Sequence, residues 1–379
     1  MLKKIQSKSE EYHQEIVDIR RHLHANPELS FEEYKTSEFV QTKLTEWGIK
    51  FQNNIANTGV VAKIEGNDPN SKVIALRGDM DALPITETND IDYKSKNEGV
   101  MHACGHDVHT SCLLGAAKIL NEIKGELSGT IRLIFQPAEE KFPGGASQMI
   151  EEGVLDNPKV NSIIGQHVMP DFEAGKVGFR SGTYMASADE IYIKVIGKGG
   201  HAAMPERNID PVLISAHIIT SLQQIVSRNS RPDTPCVLSI GKVIADGATN
   251  VIPDEVYMEG TFRTFDEEWR ELAHEKIKNI AISLVEGMGA KCEIEIKKGY
   301  PVLINNEALA NRSKQFAIEY LGKENVLDLD LWMAGEDFAY YSHHTDACFY
   351  RLGIRNEAKG ITSSVHTPTF DIDEEALKT

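Results

Sequence analysis

Apolar positions near the start of the chain recur three or four residues apart, which predicts one face of an amphipathic helix. The repeating positions are Tyr12, Ile16, Ile19 and Leu23. Asn26-Pro27 ends this helix, because the residue before a proline avoids the helical conformation. A second helix is predicted over roughly 31–47, with Gly48 as its C-cap.

Short apolar runs then alternate with a helical pattern. Three runs predict buried strands, and a helix over 110–124 lies between the first two. The runs are 73–76, 131–135 and 162–165. This alternation predicts an α/β domain with a mainly parallel sheet. Since ligands bind beyond the carboxyl ends of such strands, the polar residues that follow each run are candidate site residues.

The pattern changes near residue 186, where strict alternation of apolar and polar positions begins. Four strands and two helices follow in a β-α-β-β-α-β order, which is typical of a ferredoxin-like unit. The strands are 190–195, 236–243, 256–264 and 291–298, and the helices are 210–228 and 266–287. The chain then returns to a helix over 307–321 and an apolar run over 347–352. We therefore expect a discontinuous first domain, 1–185 plus 302–379, and an inserted α+β satellite domain, 186–301.

Composition restricts the classes of function. The 379 residues, 41% of them hydrophobic, favour two domains with sizeable cores. The formal net charge of −17 argues against binding nucleic acid or anionic membranes by bulk electrostatics. No apolar run reaches the ~18 residues of a membrane span, and no apolar signal segment follows the basic residues at the start. The 5 scattered cysteines suit free thiols, so we expect a cytoplasmic protein.

The densest chemistry lies in segment 102–109, which holds three histidines, one cysteine and one aspartate. Imidazole and thiolate groups are ligands that zinc prefers, so the segment favours a metal site over a polar helix start. The spacing does not say which side chains bind, because residues two apart do not share a helix face, whereas residues three or four apart do.

Other candidates follow the strand runs. Glu139 and Glu140 come after the second run, where one carboxylate could bind a metal and the other could take a proton from water. The alternative is a solvated acidic turn. His167 follows the third run and His366 lies near the C-terminus, and each alone is typical of a structural histidine. His201 lies in a glycine-rich segment that indicates either a close approach to a ligand or a flexible loop.

Nine motifs occur in an order that resembles one enzyme family. They are Gly-Asp-Met-Asp-Ala-Leu-Pro (78–84), His-Ala-Cys-Gly-His-Asp (102–107), Gln-Pro-Ala-Glu-Glu (136–140), Gly-Gln-His (165–167), Gly-Lys-Gly-Gly-His-Ala-Ala (197–203), Thr-Asn-Val-Ile-Pro-Asp (249–254), Gly-Thr-Phe-Arg (260–263), Gly-Glu-Asp-Phe (335–338) and Val-His-Thr-Pro (365–368). Over nearly its whole length the chain resembles the metal-dependent amidohydrolases that include N-acyl-amino-acid amidohydrolases, hippurate hydrolases, thermostable carboxypeptidases and auxin-conjugate hydrolases. The resemblance implies a catalytic domain of the zinc-peptidase type with a satellite domain for closure and dimerisation.

The resemblance also implies a role for individual residues. The implied metal ligands, with the cysteine as a bridge, are Cys104, His106, Glu140, His167 and His366. Glu139 matches the general base, and His201 matches a satellite residue that steadies the oxyanion in a partner subunit's site. Asn250 and Arg263 match substrate-binding positions. Asp81 is expected to orient a ligand rather than to bind the metal, because this chain lacks the histidine that related di-zinc peptidases carry two residues earlier.

We therefore predict a metal-dependent hydrolase that cleaves the amide bond of N-acyl amino acids. A carboxypeptidase or dipeptidase with the same site is the alternative, and a non-catalytic metal-binding sensor is less favoured because a sensor needs no base. The expected cofactor is one or two divalent ions of zinc, manganese, cobalt or nickel. The expected partners are an N-acyl amino acid or short peptide and, in a homodimer or higher oligomer, further copies of this chain.

Overall fold

The computed structural model describes residues 1–379 and contains eight α-helices and sixteen β-strands. The helices are α1 (Leu2–Ala25), α2 (Tyr34–Glu46), α3 (His106–Glu122), α4 (Gly145–Glu151), α5 (Pro211–Leu222), α6 (Glu267–Gly287), α7 (Glu307–Leu321) and α8 (Ala339–Ser342). The strands are β1 (Lys50–Ile55), β2 (Gly59–Glu65), β3 (Val73–Asp79), β4 (Thr130–Gln136), β5 (Ser162–Glu173), β6 (Val177–Phe179), β7 (Gly182–Met185), β8 (Asp189–Ile196), β9 (Gly200–His201), β10 (Cys236–Ile244), β11 (Val251–Ile252), β12 (Glu255–Thr264), β13 (Lys291–Lys298), β14 (Leu303–Asn305), β15 (Val326–Asp328) and β16 (Asp346–Arg355). None of these helices combines the length and apolar character that crossing a bilayer requires.

The chain divides into two compact units. The larger unit comprises Met1–Gly182, Ile304–Asp330 and Asp337–Thr379. The smaller unit comprises Thr183–Leu303 and Leu331–Glu336. All five cysteines are unpaired, as their scattered positions predict.

An eight-stranded sheet of order β1-β2-β4-β3-β5-β16-β6-β15 forms the centre of the larger unit. The strands β4, β3, β5 and β16 run parallel to one another. At one side β2 pairs antiparallel with β4 and β1 with β2, and at the other side β6 pairs antiparallel with β16. Helix α1 packs against α3, and α3 packs on the sheet at β3. The predicted α/β fold with a mainly parallel sheet is therefore confirmed.

The three strand runs singled out in the sequence are neighbours in this sheet, as β4, β3 and β5. Their carboxyl ends meet at one edge, where ligands bind in such sheets. Two strands are longer than their apolar runs: β3 continues to Asp79, and β5 continues to Glu173 because it pairs with β16 as far as Arg355. His167 therefore lies inside a strand and not beyond its end.

Helix α3 begins at His106, four residues before its predicted start. Gly105, the N-cap, has a left-handed φ of 82°, a conformation that favours glycine. A Cβ at this position would also lie 2.6 Å from Cγ2 of Val168 on β5. The glycine therefore lets the histidine-rich segment turn into the helix in close contact with the sheet.

The smaller unit contains an antiparallel sheet of order β10-β12-β8-β13, with α5 and α6 packed on it. The strands and helices of this unit follow the predicted β-α-β-β-α-β order, as β8, α5, β10, β12, α6 and β13. Side-chain caps mark both helix starts: Asp210 accepts from the backbone N–H of Val212, and Asp266 accepts from that of Trp269. Helix α5 ends at Leu222, and a separate π-helical turn follows, so the helix predicted to reach residue 228 is interrupted.

Buried Asp189 ties the sheet of the smaller unit to α6. Its carboxylate accepts hydrogen bonds from the Arg270 guanidinium, from His274 Nε2 at 2.7 Å and from the Gly299 N–H at 3.0 Å. Burial alone would raise the pKa of Asp189, but the hydrogen bonds from Arg270 and His274 lower it below its ordinary value. The ionised carboxylate therefore stabilises the folded unit at neutral pH.

Replacing Asp189 with asparagine is expected to lower the free energy of unfolding of the smaller unit by about 3 kcal/mol at pH 7, because buried Arg270 loses its fully buried ion-pair partner and keeps only Glu267. Since the folded pKa is depressed, the contribution of Asp189 is present above the ordinary carboxyl pKa of about 4 and is lost as the pH falls below it. Urea unfolding of both proteins at pH 7 and at acid pH measures this difference. If the difference in free energy of unfolding between the two proteins were the same at both pH values, the predicted dependence on the ionisation of Asp189 would be wrong.

Candidate metal centre

Five side chains converge at the edge of the large sheet: Cys104, His106, Glu140, His167 and His366. Cys104, His106 and His167 have ligand atoms within 4.8 Å of one another, and so do Cys104, Glu140 and His366. The Cys104 sulfur lies 3.3 Å from Nε2 of His167 and 3.2 Å from Nε2 of His366. Because Cys104 belongs to both groups, the arrangement is compatible with two ions that share one thiolate.

Different parts of the fold hold these ligand atoms. His106 opens α3, His167 projects from β5, and Glu140 follows β4. His366 has a left-handed φ of 61°, and its backbone N–H donates to the carbonyl of Ala103 at 2.7 Å. That hydrogen bond holds the C-terminal loop next to Cys104.

Two histidines use Nδ1 for a hydrogen bond, so Nε2 is the nitrogen that each directs at this centre. His167 donates from Nδ1 to the Val168 carbonyl at 2.8 Å, and His106 donates from Nδ1 to Asp81 Oδ1 at 3.1 Å. The Nε2 of His106 is buried and has no hydrogen-bond partner. A buried polar atom without a partner is unfavourable, and a metal cation would satisfy it. The donor set therefore fits a borderline divalent metal.

The electrostatics of the site also suit a cation. Burial would lower the pKa of His106, but the carboxylates of Asp79, Asp81 and Glu140 raise it to about 10. Burial and the negative field together raise the pKa of the Cys104 thiol well above its ordinary value. Negative charge contributes to both shifts, and divalent ions would neutralise it; metal binding would displace the proton of the thiol and that of His106 Nε2.

The Asp81 carboxylate contacts both His106 and the turn that carries Glu139 and Glu140. Besides the imidazole of His106, Oδ1 accepts from the backbone N–H of Glu139 at 3.1 Å. Its other oxygen accepts from the N–H of Glu140 at 3.0 Å and from the Ser30 hydroxyl at 2.6 Å. Both oxygens act as acceptors, so the aspartate contacts the candidate ligand His106 and the backbone of both glutamates, and it belongs to neither ligand group that contains Cys104.

Substituting asparagine for Asp81 is expected to weaken divalent-ion affinity by about 10–100-fold, because an amide NH₂ would face a backbone N–H that now has an acceptor. Competition with a chromogenic chelator measures the affinity. The exposed Asp92→Asn variant provides a control with the same change of charge. An affinity within about twofold of wild type in Asp81→Asn would show that the aspartate does not orient the ligands.

Glu139, the predicted general base, lies close to His106 and Glu140. It is buried, its ligand atom is within 4.8 Å of those of His106 and Glu140, and its Oε1 accepts from the Asp337 N–H at 3.4 Å. Six of the nine predicted site residues are thus brought together in the larger unit.

The other three predicted residues belong to the smaller unit. His201 on β9 pairs with Val251, next to Asn250, whose carbonyl accepts from the Ala202 N–H at 3.1 Å. Arg263 lies on the separate strand β12 and donates from Nη1 to the Met333 carbonyl at 3.0 Å. The His201 side chain is exposed, and its Nδ1 accepts from a backbone N–H, so Nε2 carries the proton and can donate.

Two supporting residues, His109 and Asp79, were given no individual role in the sequence analysis. His109 donates from Nδ1 to Asp79 at 2.5 Å, and its Nε2 accepts from the Val168 N–H at 2.9 Å. His109 therefore stabilises strand β5, which carries His167. Its position three residues after His106, on the same face of α3, was the available signal.

The chain matches known proteins over most of its length. Residues 75–379 match the model of Peptidase family M20/M25/M40. The chain is 41% identical to an N-acetyl-L-cysteine deacetylase of Bacillus subtilis, over 96% of this chain and 85% of that protein. It is 46% identical to an N-acyl-L-amino acid amidohydrolase of Geobacillus stearothermophilus, over 77% and 78%.

A solved structure extends the comparison to three dimensions. It is the YxeP protein of Bacillus subtilis, described as a dinuclear metal binding peptidase from the M20 family. That structure superposes with a TM-score of 0.82 at 37% identity, covering 97% of this chain and 95% of the other. This chain belongs to peptidase family M20/M25/M40.

Proposed function

We propose that this protein hydrolyses the amide bond of N-acyl amino acids and releases a carboxylic acid and a free amino acid. The observation that carries the proposal is the pair of ligand groups that share Cys104 beside the buried Glu139. Relatives named for N-acyl amino acid hydrolysis support the substrate class.

In the proposed mechanism, Glu139 accepts a proton from the attacking water on a carboxylate oxygen and then delivers it to the nitrogen of the departing amine. Divalent ions, when bound by Cys104, His106, Glu140, His167 and His366, supply the Lewis acidity that makes water a nucleophile near neutral pH. The N–H of Asp337 donates to Glu139 Oε1 and helps to orient the side chain for both transfers.

The identity and number of the ions are part of the proposal. Thiolate and imidazole donors favour zinc, while manganese, cobalt and nickel are alternatives for the same set. The sharing of Cys104 by two ligand groups supports two ions, as does the dinuclear description of the Bacillus subtilis relative.

We assign substrate recognition to the smaller unit. The guanidinium of Arg263 offers a planar pair of donors for a carboxylate, and one of its nitrogens is already fixed by the Met333 carbonyl. The amide of Asn250 would add a polar contact. His201, with Nε2 as the donor, would steady the oxyanion that develops on the scissile carbonyl.

The proposed homodimer is supported by the surface of the smaller unit. Strand β10 lies at the edge of the sheet, where its outer backbone groups can pair with another strand. Large apolar side chains on β10 and α5 are exposed, namely Val212, Leu213, Val237, Val243 and Ile244. An exposed apolar surface beside an open sheet edge suits a second copy of the chain.

Complementation between subunits tests whether His201 acts across this dimer. Heterodimers of a His201→Ala subunit and a Glu139→Gln subunit, purified with two tags, are expected to recover about half of wild-type activity, because one of their two sites has both residues. Each variant alone stays impaired. Heterodimers as inactive as the parents, or a fully active monomer in sedimentation, would contradict the proposal.

Release of free amino acid from matched substrates tests the reaction itself. An N-acetyl amino acid and a dipeptide with the same C-terminal residue are compared by kcat/KM. The proposal predicts faster cleavage of the N-acetyl amino acid. Preference for the dipeptide would move the assignment to the peptidase alternative.

A further inference from the structure

The carboxylate of Glu33 lies buried at the start of α2 and joins three separate turns of the larger unit. It is 0% exposed. Oε1 accepts from the backbone N–H of Phe31 at 3.0 Å and from that of Ala138 at 2.9 Å. Oε2 accepts from the Thr58 hydroxyl at 2.6 Å. No part of the proposed mechanism uses this group.

The turns that Glu33 joins contain non-glycine residues with left-handed backbone. φ is 67° at Phe31, 51° at Ala138 and 77° at Asn57, which precedes Thr58. A Cβ makes this conformation unfavourable, so it persists only where surrounding contacts enforce it. The buried carboxylate is one such contact at each turn.

The turn at Ala138 leads directly into the two glutamates of the site. Three successive backbone N–H groups, those of residues 138, 139 and 140, donate to two buried carboxylates: the first to Glu33 and the next two to Asp81. The carbonyl of Ala138 accepts from the Gly145 N–H at 2.9 Å, so both polar groups of its backbone are held. Asp81 also contacts His106, whereas the contact of Glu33 with this turn is made through Ala138.

The two glutamates differ in what else restrains them. Glu140 belongs to a ligand group with Cys104 and His366, so a bound ion would hold its side chain. Glu139, as the base, stands outside the two ligand groups that share Cys104, so its direction depends on the Asp337 N–H and on the backbone of its turn. Loss of the Glu33 contact should therefore affect proton transfer more than metal binding.

We propose that Glu33 is a positioning residue for amide hydrolysis, which keeps the Ala138 turn left-handed and thereby directs Glu139. This inference rests on the proposed function for its catalytic meaning. Its structural part, the restraint on the turn, is measurable without activity.

The surroundings of Glu33 also indicate which substitution should be tolerated. Burial, with a further contribution from Asp81, raises the pKa of Glu33 to about 7. A neutral side chain at this place is therefore close in energy to the charged one. Glutamine keeps an acceptor for the Phe31 and Ala138 N–H groups and can donate to the Thr58 hydroxyl, whereas alanine keeps none of these bonds.

Steady-state kinetics of metal-loaded Glu33→Ala and Glu33→Gln form the first test. For the alanine variant we expect kcat to fall about 10–100-fold with KM and bound metal little changed, because a small misplacement of a catalytic group costs rate rather than binding. The glutamine variant is expected within about threefold of wild type. Glu28→Ala is the matched control, since Glu28 accepts from the N–H of Thr36 in α2 at 2.8 Å but contributes no bond to the Ala138 turn. Equal kcat in Glu33→Ala and wild type, or a loss of activity that follows loss of metal, would overturn the proposal.

A double-variant comparison separates positioning from simple loss of stability. Glycine adopts the left-handed conformation freely, so Ala138→Gly should restore part of the kcat that Glu33→Ala loses. A cavity or a weakened α2 would not be repaired by this change. Kinetics of the double variant no better than those of Glu33→Ala would count against the proposal.

Amide hydrogen exchange of the metal-free protein, read on peptides covering 136–146, completes the test. Glu33→Ala is expected to raise exchange in this segment, and Glu28→Ala is not. If exchange rises while even the wild type cleaves no N-acyl amino acid, the restraint stands and the proposed function fails. If exchange is unchanged in a folded Glu33→Ala, the restraint itself is refuted.

Discussion

Glu139→Gln is expected to lower kcat for an N-acetyl amino acid by about 10²–10⁴-fold, because glutamine cannot accept the proton of the attacking water. The amide is nearly isosteric with the carboxylate, and the backbone N–H of residue 139 would still donate to Asp81. The metal content should therefore stay at the wild-type value. Measuring kcat and bound metal on the same preparation separates loss of the base from loss of the ions.

The exposed Glu151→Gln variant provides the control for the change of charge and is expected to behave as wild type. A Glu139→Gln protein that turned over at the wild-type rate with its metal bound would remove the general base from the mechanism. A variant that lost its metal would show that Glu139 acts mainly as a ligand.

Cys104→Ser should have an even broader effect, because the cysteine belongs to both ligand groups. A serine hydroxyl does not ionise as a thiol does when it binds a borderline metal, so both sites lose their shared ligand together. We expect at least a 100-fold loss of affinity for both ions, by analogy with the strong coupling of metal affinity to its ligands. Activity at limiting metal should fall in parallel.

Cys112→Ser is the matched control, since Cys112 lies on the same helix, α3, and lines an apolar cavity of ≈ 500 Å³ in the larger unit. Metal analysis after dialysis against a weak chelator measures the difference. Retention of two ions per chain by Cys104→Ser would contradict a bridging role. Retention of one ion would show that the two groups bind independently.

Sequence patterns predicted that the candidate ligands lie together, because strand order and chemistry agree. Apolar runs become the adjacent strands β4, β3 and β5, and parallel strands end at a common edge. Glu140, which follows β4, and His167, on β5, lie at this edge together with the cysteine segment that precedes α3. The family resemblance then selected five ligands from a cluster whose spacing left the choice open.

The residues that support this centre could not be predicted in the same way. Glu33 and Ala138 are separated by 105 positions, and nothing in the local pattern around a glutamate at a helix start indicates that its carboxylate is buried beneath a distant turn. The length of β5 depends on its pairing with β16, which is equally non-local. Such contacts depend on tertiary packing, whereas periodicity reports only which face of an element is apolar.

The most direct measurement is hydrolysis of an N-acetyl amino acid by protein that has been stripped of metal and then given back one divalent ion at a time. Metal dependence predicts no release of amino acid from the stripped protein, and release restored by zinc or by one of manganese, cobalt and nickel. Full hydrolysis by verified metal-free protein would contradict the central role of the Cys104 centre. So would the absence of hydrolysis in protein that is folded and loaded with each ion in turn.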